Sequence, residues 1–181
     1  LAQLTLSKSR DITTFSGGLQ GRSVEGEDWQ EGFSIRLPAG DINFRGDYIP
    51  IPTQSQPQPP QPQPQPQPTG EIILSTVTEP YTNGNFTITK LDTSVDGYET
   101  LQIKFDTKAN ASNVYALFGN SESILSCPAS YQIDEPFGVD VGGVDPVFIT
   151  SNPDSEFDSW LTVGLTDGDR DGEISNIGIN F

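Results

Sequence analysis

The sequence predicts an all-β protein: an immunoglobulin-like or jelly-roll β-sandwich, preceded by a short β N-terminal segment and a polyproline II linker. Two observations predict this class. Apolar and polar residues alternate with a period of two along much of the chain, and no stretch keeps the 3.6-residue apolar period of an amphipathic helix. Gly- and Asn-rich turns also separate about seven short apolar runs in residues 70–181, which is typical of a sandwich.

A Pro-Gln run separates the two β regions. Residues 50–69 carry no charge, and from Gln56 to Pro68 they read QPQPPQPQPQPQP. Repeated proline prevents both a helix and a central strand, because each proline removes a backbone donor. In polyproline II, Gln54 to Pro68 would extend over about 47 Å. We therefore predict three parts: a front segment (1–49), a linker (50–69) and a β-sandwich body (70–181).

The front segment is predicted to be β but incomplete. Residues 1–6 alternate as a first strand, and residues 33–44 alternate on both sides of a Pro-Ala-Gly-Asp turn, as a hairpin does. Gly17, Gly18 and Gly26 interrupt the pattern between these two elements. Because a hairpin and a loose strand are marginal in water, the front segment must pack on its own body or on another copy.

Seven runs in the body are predicted as strands, because apolar and polar residues alternate in them and turn residues bound most of them. The section from Ser121 to Pro146, which is rich in Pro and Gly, is predicted to be an ordered loop crossing one end of the sandwich. The predicted strands are Ile72–Val77, Asn85–Leu91, Thr100–Asp106, Val114–Phe118, Val147–Thr150, Ser159–Leu165 and Ile174–Phe181.

The charge of the chain excludes several classes of partner. The net charge is −16, and the body holds most of it, with four Lys/Arg against eighteen Asp/Glu. Nucleic acids and anionic lipids are bound through dense Lys/Arg, so this surface repels both. No apolar run reaches the length of a membrane span. We predict neither nucleic-acid binding nor membrane insertion.

The residue inventory argues against an enzyme. The chain has no histidine and one cysteine, which excludes Ser-His-Asp and Cys-His catalysis. Cys127 has no partner for an internal disulfide and is predicted to be a small buried residue. Glu156, Asp158 and Trp160 would suit a sugar-binding cleft, but Trp160 is predicted to be the large core residue of its strand, and no pair of carboxylates is spaced as in a glycosidase.

The first strand is the candidate for assembly. Ala2, Leu4 and Leu6 would lie on one face of it. Two interpretations remain open: the strand pairs within its own chain, or it is a donor strand that completes the sheet of another copy. A linker reaching tens of ångströms permits the second. Such head-to-tail contacts are heterologous and build a ring or an open filament.

This arrangement resembles the donor-strand-exchange pilins of bacterial surface fibres. The resemblance rests on the alternating strand at 1–6, a β-sandwich body and the alternating end Ile177–Phe181. It implies an extracellular structural subunit whose partners are other copies of itself. The chain departs from the pattern in two respects. Cys127 alone cannot supply the disulfide of many such pilins, and a Pro-Gln linker is not part of their design.

Residues 113–179 carry a second resemblance, to β modules in secreted microbial proteins of unknown function. It implies a secreted setting and no activity. The stretches that carry it are Val114–Gly119, Pro136–Gly138, Asn152–Gly164, Thr166–Asp169 and Ile174–Ile179.

An acidic run near the end of the chain matches the start of a calcium loop. Asp167, Asp169 and Asp171 occupy positions 1, 3 and 5, with glycine at position 6. Gly178 stands at position 12, where a bidentate acid is expected, and no helices flank the loop. The run is either an acidic turn between strands or a calcium site completed by other groups, such as Glu173 or Asp154.

Two sequons, at Asn85 and Asn110, would accept glycans if the source is eukaryotic. The composition, acidic and rich in Ser, Thr, Asn and Gly, favours an extracellular or cell-surface protein. The first residue is Leu1 rather than methionine, which is expected of a mature form without its leader and equally of a fragment.

These observations predict a structural subunit of an extracellular fibre or pilus-like filament. It would assemble as a homo-oligomer by inserting the N-terminal strand into the β-sandwich of another protomer. The alternative is a monomeric secreted or cell-surface binding module, with carbohydrate as a candidate ligand.

Overall fold

A computed structural model describes residues 1–37, 72–77, 81–169 and 171–175. Eight strands, one short helix and one 3₁₀ turn are found there. The strands are β1 (Ala2–Ser7), β2 (Thr13–Ser23), β3 (Asp28–Leu37), β4 (Ile72–Val77), β5 (Gly84–Leu91), β6 (Tyr98–Thr107), β7 (Ala111–Phe118) and β8 (Trp160–Leu161), with α1 at Pro146–Ser151 and the 3₁₀ turn at Pro153–Phe157.

The strands form two antiparallel sheets. Sheet A has five strands in the order β4-β5-β6-β1-β8, and sheet B has three in the order β3-β2-β7. This confirms the predicted all-β sandwich. None of the helices in the described ranges is long and apolar enough to cross a membrane.

One hydrophobic core lies between the sheets and takes residues from both the front segment and the body. Phe33 of β3 packs on Phe15 of β2 and on Phe86 of β5, with ring centroids 5.1 Å apart in each pair. Phe86 in turn contacts Phe105, at 4.8 Å. The front segment supplies β1 to sheet A and both β2 and β3 to sheet B, so it packs on its own body in this structure.

β2 was not predicted, because its glycines interrupt the apolar pattern. In the structure, aromatic rings of neighbouring strands cover these glycines. A Cβ at Gly18 would lie 2.5 Å from the ring of Phe118, and a Cβ at Gly21 would lie 2.3 Å from the ring of Trp29. Gly26, with φ of 89°, forms the turn between β2 and β3. The glycines that interrupt the apolar pattern of β2 therefore leave space for aromatic rings of the neighbouring strands.

The predicted strand at Val147–Thr150 is wrong, because this stretch lies in α1. Asp145 caps the helix: its Oδ1 accepts a hydrogen bond from Val147 N at 2.9 Å. Pro146 occupies the first helical turn, where its fixed φ suits a helix and its missing N–H costs nothing.

The remaining strand predictions have mixed outcomes. β4 to β7 lie where they were predicted, within two to three residues at each end. The run predicted at Ser159–Leu165 shortens to β8, and Ile174 and Ser175 are not in a strand. The predicted turn and return strand at 38–44, the linker and residues 176–181 lie outside the described residues.

The section predicted as an ordered loop crosses from one sheet to the other. Ser126 exchanges backbone hydrogen bonds with Ser16 of β2, at 3.0 and 3.1 Å. Further along, Tyr131 N donates to Thr5 O of β1 at 2.7 Å. The loop thus joins the edge of β2 in sheet B to the edge of β1 in sheet A, and so reaches the strand that carries the assembly hypothesis.

Candidate functional site

β1 lies inside sheet A, between β6 and β8. Its register places Ala2 opposite Ile103 and Leu4 opposite Leu101. The exposed fractions of Ala2, Leu4 and Leu6 are 1%, 0% and 0%. Fully burying a leucine side chain contributes roughly 1.5–3 kcal/mol. The three predicted donor residues are therefore core residues, and the body that accepts them here is their own.

The outer edge of β1 is also hydrogen-bonded. Ala2 and Gln3 pair with β8. Beyond the short β8, Thr5 N donates to Ser159 Oγ at 2.9 Å and its carbonyl accepts from Tyr131 N. β1 is thus held on both edges, as an inserted strand must be.

The face of β1 that points away from the core is covered as well. Gln3 Nε2 donates to the carbonyls of Glu156 and Asp158, at 2.8 and 2.9 Å. Thr5 Oγ1 and Thr100 Oγ1 share a hydrogen bond of 2.8 Å. Alternating apolar and polar residues therefore fill two different environments, the sandwich core on one side and a polar loop layer on the other.

Asp158 organises that loop layer. Its carboxylate accepts hydrogen bonds from Ile133 N at 2.8 Å and from Val139 N at 2.6 Å. Burial raises the pKa of Asp158, and its backbone hydrogen bonds offset this only in part. The side chain is fully buried, so it is a structural acceptor and is not available to a sugar ligand.

Trp160 is likewise buried, with 5% of its surface exposed, whereas Glu156 is exposed. Trp160 is therefore a buried residue, as the core interpretation requires, but it lies opposite Gln3, on the loop side of sheet A and not between the sheets. The three residues do not form an open aromatic-and-acid cleft in this structure.

An ion-pair cluster joins the front segment to the body, and sequence reasoning missed it. Glu99 of β6 is buried and contacts Arg10 Nη2 at 2.7 Å and Lys90 Nζ at 2.8 Å. Burial acts to raise the pKa of Glu99, but the hydrogen bonds and charges of Lys90 and Arg10 outweigh it, so the pKa is lowered. No local sequence signal links these three positions, because strand pairing alone brings them together.

The acidic loop is folded around Asp169. Its Oδ1 accepts from Glu173 N at 2.6 Å and its Oδ2 from Ile174 N at 2.8 Å. In the described parts of the chain, no three acidic, histidine or cysteine side chains gather in a way that could hold a metal ion. Asp167, Asp169, Asp171 and Glu173 do line one pocket of about 280 Å³, but within the described ranges they are not gathered closely enough to hold a calcium ion.

Cys127 is half-buried against the core, and burial raises the pKa of its thiol to about 11. A thiol with that pKa is protonated and unreactive at neutral pH. Of the two sequons, Asn110 is exposed and donates through Nδ2 to Asn83 Oδ1 at 3.0 Å, whereas Asn85 is half-buried in β5.

An open cleft of about 700 Å³ lies beside β3. Glu31 and Glu122 line it together with Tyr81 and several serines. The Glu31 carboxylate is already engaged, since Thr82 N and Asn83 N donate to it at 2.5 and 3.2 Å. The cleft is polar and acidic, and it suits a small polar or cationic ligand better than an anion.

Comparison with known proteins gives no match: no protein-family model, no curated protein and no solved structure is significantly similar to this chain. The candidate function therefore depends on the geometry of the chain itself.

Proposed function

We propose that this protein is a non-enzymatic structural subunit of an extracellular fibre or surface layer, in which copies exchange their front segments. One observation carries the proposal: an N-terminal strand fills the interior of sheet A, between β6 and β8. That strand and the two that follow it belong to a segment that is joined to the rest of the chain only through residues 38–71. A second body offers the same surface to the same segment.

The acceptor surface of the body supports insertion rather than loose contact. Without β1, the body would expose the side chains of Leu101, Ile103 and Leu161 and the paired edges of β6 and β8. Such a groove offers main-chain hydrogen bonds for affinity and alternating pockets for register. A strand with matching side chains, from this chain or from another copy, can form these hydrogen bonds and fill these pockets.

The Pro-Gln composition of the linker supports exchange between copies, although the front segment packs on its own body in this structure. A flexible linker lets a segment fold back easily, whereas a polyproline II linker is semi-rigid and holds its ends apart. Each exchanged copy offers its own front segment to the next and accepts one from the previous copy. Because this contact is heterologous, it produces an open chain or a ring rather than a closed two-fold dimer.

Cysteine trapping on the full chain tests the exchange. Arg22 of β2 and Asn113 of β7 are exposed partners across the junction between front segment and body. Antiparallel partners at this spacing are within disulfide range. We expect chains carrying Arg22→Cys, co-expressed with chains carrying Asn113→Cys, to form a disulfide-linked dimer under mild oxidation, with Cys127→Ser in both.

A matched pair supplies the control. Arg22 and Asp28 are partners within the front segment, so Arg22→Cys and Asp28→Cys on separate chains should not link even when exchange occurs. Intact protein should also sediment as concentration-dependent oligomers and give filaments or rings in negative stain. Absence of the Arg22–Asn113 link between chains, together with a monomer at every concentration, would reject the proposal. Removing β1 is a poor test, since it opens the core.

The alternative function, a monomeric secreted binding module, has one observation in its favour: the front segment packs on its own body. The acidic cleft beside β3 is then the candidate binding surface, with Glu122 its unengaged acid among the described hydrogen bonds. Glycan-array binding by a monomer, lost on Glu122→Ala, would favour this alternative over the fibre subunit.

A further inference from the structure

A groove runs along the outer edge of β7, the last strand of sheet B. Among the described residues, β7 pairs with β2 alone, so its other edge faces the gap toward β8. Two cavities of about 280 and 220 Å³ lie in this gap, and Thr162 and Val163 line both. Because they share these two residues, the cavities lie next to each other, and we refer to them together as the groove.

The groove is mostly apolar. Leu117, Val141, Leu161 and Ile174 line one part of it, with Tyr115, which is 42% exposed. The other part is lined by Leu1, Phe105, Val114 and Val163 among others. An apolar groove beside an unpaired strand edge is an open template for another strand.

The chain itself leads into this groove. Ser175 lines the part next to Leu117, and the six residues that follow it are Asn-Ile-Gly-Ile-Asn-Phe, uncharged and alternating. As a strand they would span about 20 Å at roughly 3.3 Å each. That length matches the six residues of β7 from Leu117 back toward its start, and the second cavity, at Val114, lies in that direction.

We propose that residues 176–181 of this same chain bind in the groove as an added strand, antiparallel to β7, and make sheet B four-stranded. The alternation places Ile177, Ile179 and Phe181 against the apolar lining and leaves the two asparagines outside. Attachment at Ser175 gives the segment a high effective concentration, which favours it over the same segment of another copy. The inference concerns the body alone and holds whether or not front segments are exchanged.

Hydrogen exchange on the full-length protein tests the proposal. An added strand protects the outward amides of β7. We expect the double variant Ile177→Asp, Ile179→Asp to exchange these amides at least about tenfold faster, because local opening governs their exchange. The matched control, Asn176→Asp with Asn180→Asp, adds the same charge at outward positions and should leave protection unchanged. Amides of β1 and β6 report whether the sandwich itself remains folded.

Cross-linking identifies the occupant. Asn180→Cys is combined in one chain with Ser112→Cys or Asn113→Cys, both exposed on β7, in a Cys127→Ser background. A disulfide within a single chain is the expected result. A disulfide only between chains would assign the groove to another copy and overturn the proposal. Equal β7 exchange rates in the inward and outward variants, with sheet A intact, would also overturn it.

Discussion

At the scale of single residues, Glu99 links the front segment to the body through ion pairs. It takes one cation from the front segment, Arg10, and one from β5, Lys90. A buried carboxylate is costly unless paired, and here both oxygens are paired. Its lowered pKa means that folding favours the charged form.

The lowered pKa of Glu99 determines how low pH changes the stability of the protein. The folded pKa of Glu99 lies below its ordinary value of 4.5, so its contribution to stability is complete above pH 4.5 and is lost as the pH falls toward the folded pKa. Glu99→Gln should lower the free energy of unfolding by about 3 kcal/mol at pH 7, because it leaves Arg10 and Lys90 without their buried counter-charge. The loss should be much smaller at pH 3, because the charged form of Glu99 already contributes less to stability there. Denaturant unfolding at both values measures it.

The control for this prediction is Glu27→Gln, an exposed acid in the β2–β3 turn, which should change stability by less than about 0.5 kcal/mol. Asp158 acts in the opposite direction: its raised pKa makes the folded state bind a proton more tightly, so its contribution falls as pH rises above 3.8. Asp158 is unchanged in both variants, so their difference isolates Glu99. Equal losses for Glu99→Gln at pH 7 and pH 3 would contradict the assignment.

At the scale of elements, β2 depends on glycine for the approach of its neighbours. A Cβ at Gly21 would lie 2.1 Å from Asn113 O, and a backbone atom cannot move aside cheaply. Gly21→Ala should therefore cost about 2–3 kcal/mol, in the range of an overpacked core. Gly32→Ala in β3 is the control, since its Cβ would meet only the end of the Ser123 side chain. Thermal or denaturant unfolding that ranks Gly32→Ala as the worse variant would contradict this account.

The acidic turn gives a second prediction at this scale. Asp169 stabilises the loop through backbone amides, and no metal cluster forms there among the described residues. Melting temperatures with calcium and with chelator should agree, whereas Asp169→Ala should lower the melting temperature and Asp171→Ala should not. A clear rise in melting temperature with calcium would restore the metal site.

The same elements show how far sequence reasoning reaches. β5 and β6 follow from alternation, because each has one face in the core and one toward solvent or a loop. β2 was missed because its partners' rings, and not its own side chains, fill the space above it. α1 resembles a strand in sequence because a run of three apolar residues, Val147–Ile149, is ambiguous, although the Asp145-Pro146 pair is a usable helix start signal. Neither the Glu99 cluster nor the loop contacts that cover Gln3 could be predicted, since both join residues that are far apart in the chain.

At the scale of the whole molecule, the proposed exchange predicts an effect of linker stiffness. Replacing residues 57–68 with a Gly-Ser sequence of equal length would shorten the end-to-end distance expected from composition from about 37 Å to about 19 Å. The front segment should then return to its own body more often, and the oligomeric fraction in sedimentation velocity should fall several-fold. Restoring a Pro-Gln sequence in scrambled order is the control and should preserve the oligomers. An unchanged distribution would show that linker stiffness plays no part.

The position of β1 in sheet A also has a kinetic consequence. Ala2 pairs with Leu161, so β1 completes its pairing only after about 160 further residues have been made. At about 5–20 residues per second this delay is roughly 8–30 s. Long-range pairing of this kind is slow in any case. β6, its other partner, is complete after about residue 107, so one edge of this apolar strand stays open while residues 108–161 are made. If copies exchange front segments as proposed, the timing of synthesis would bias the choice between sheets as well as affinity.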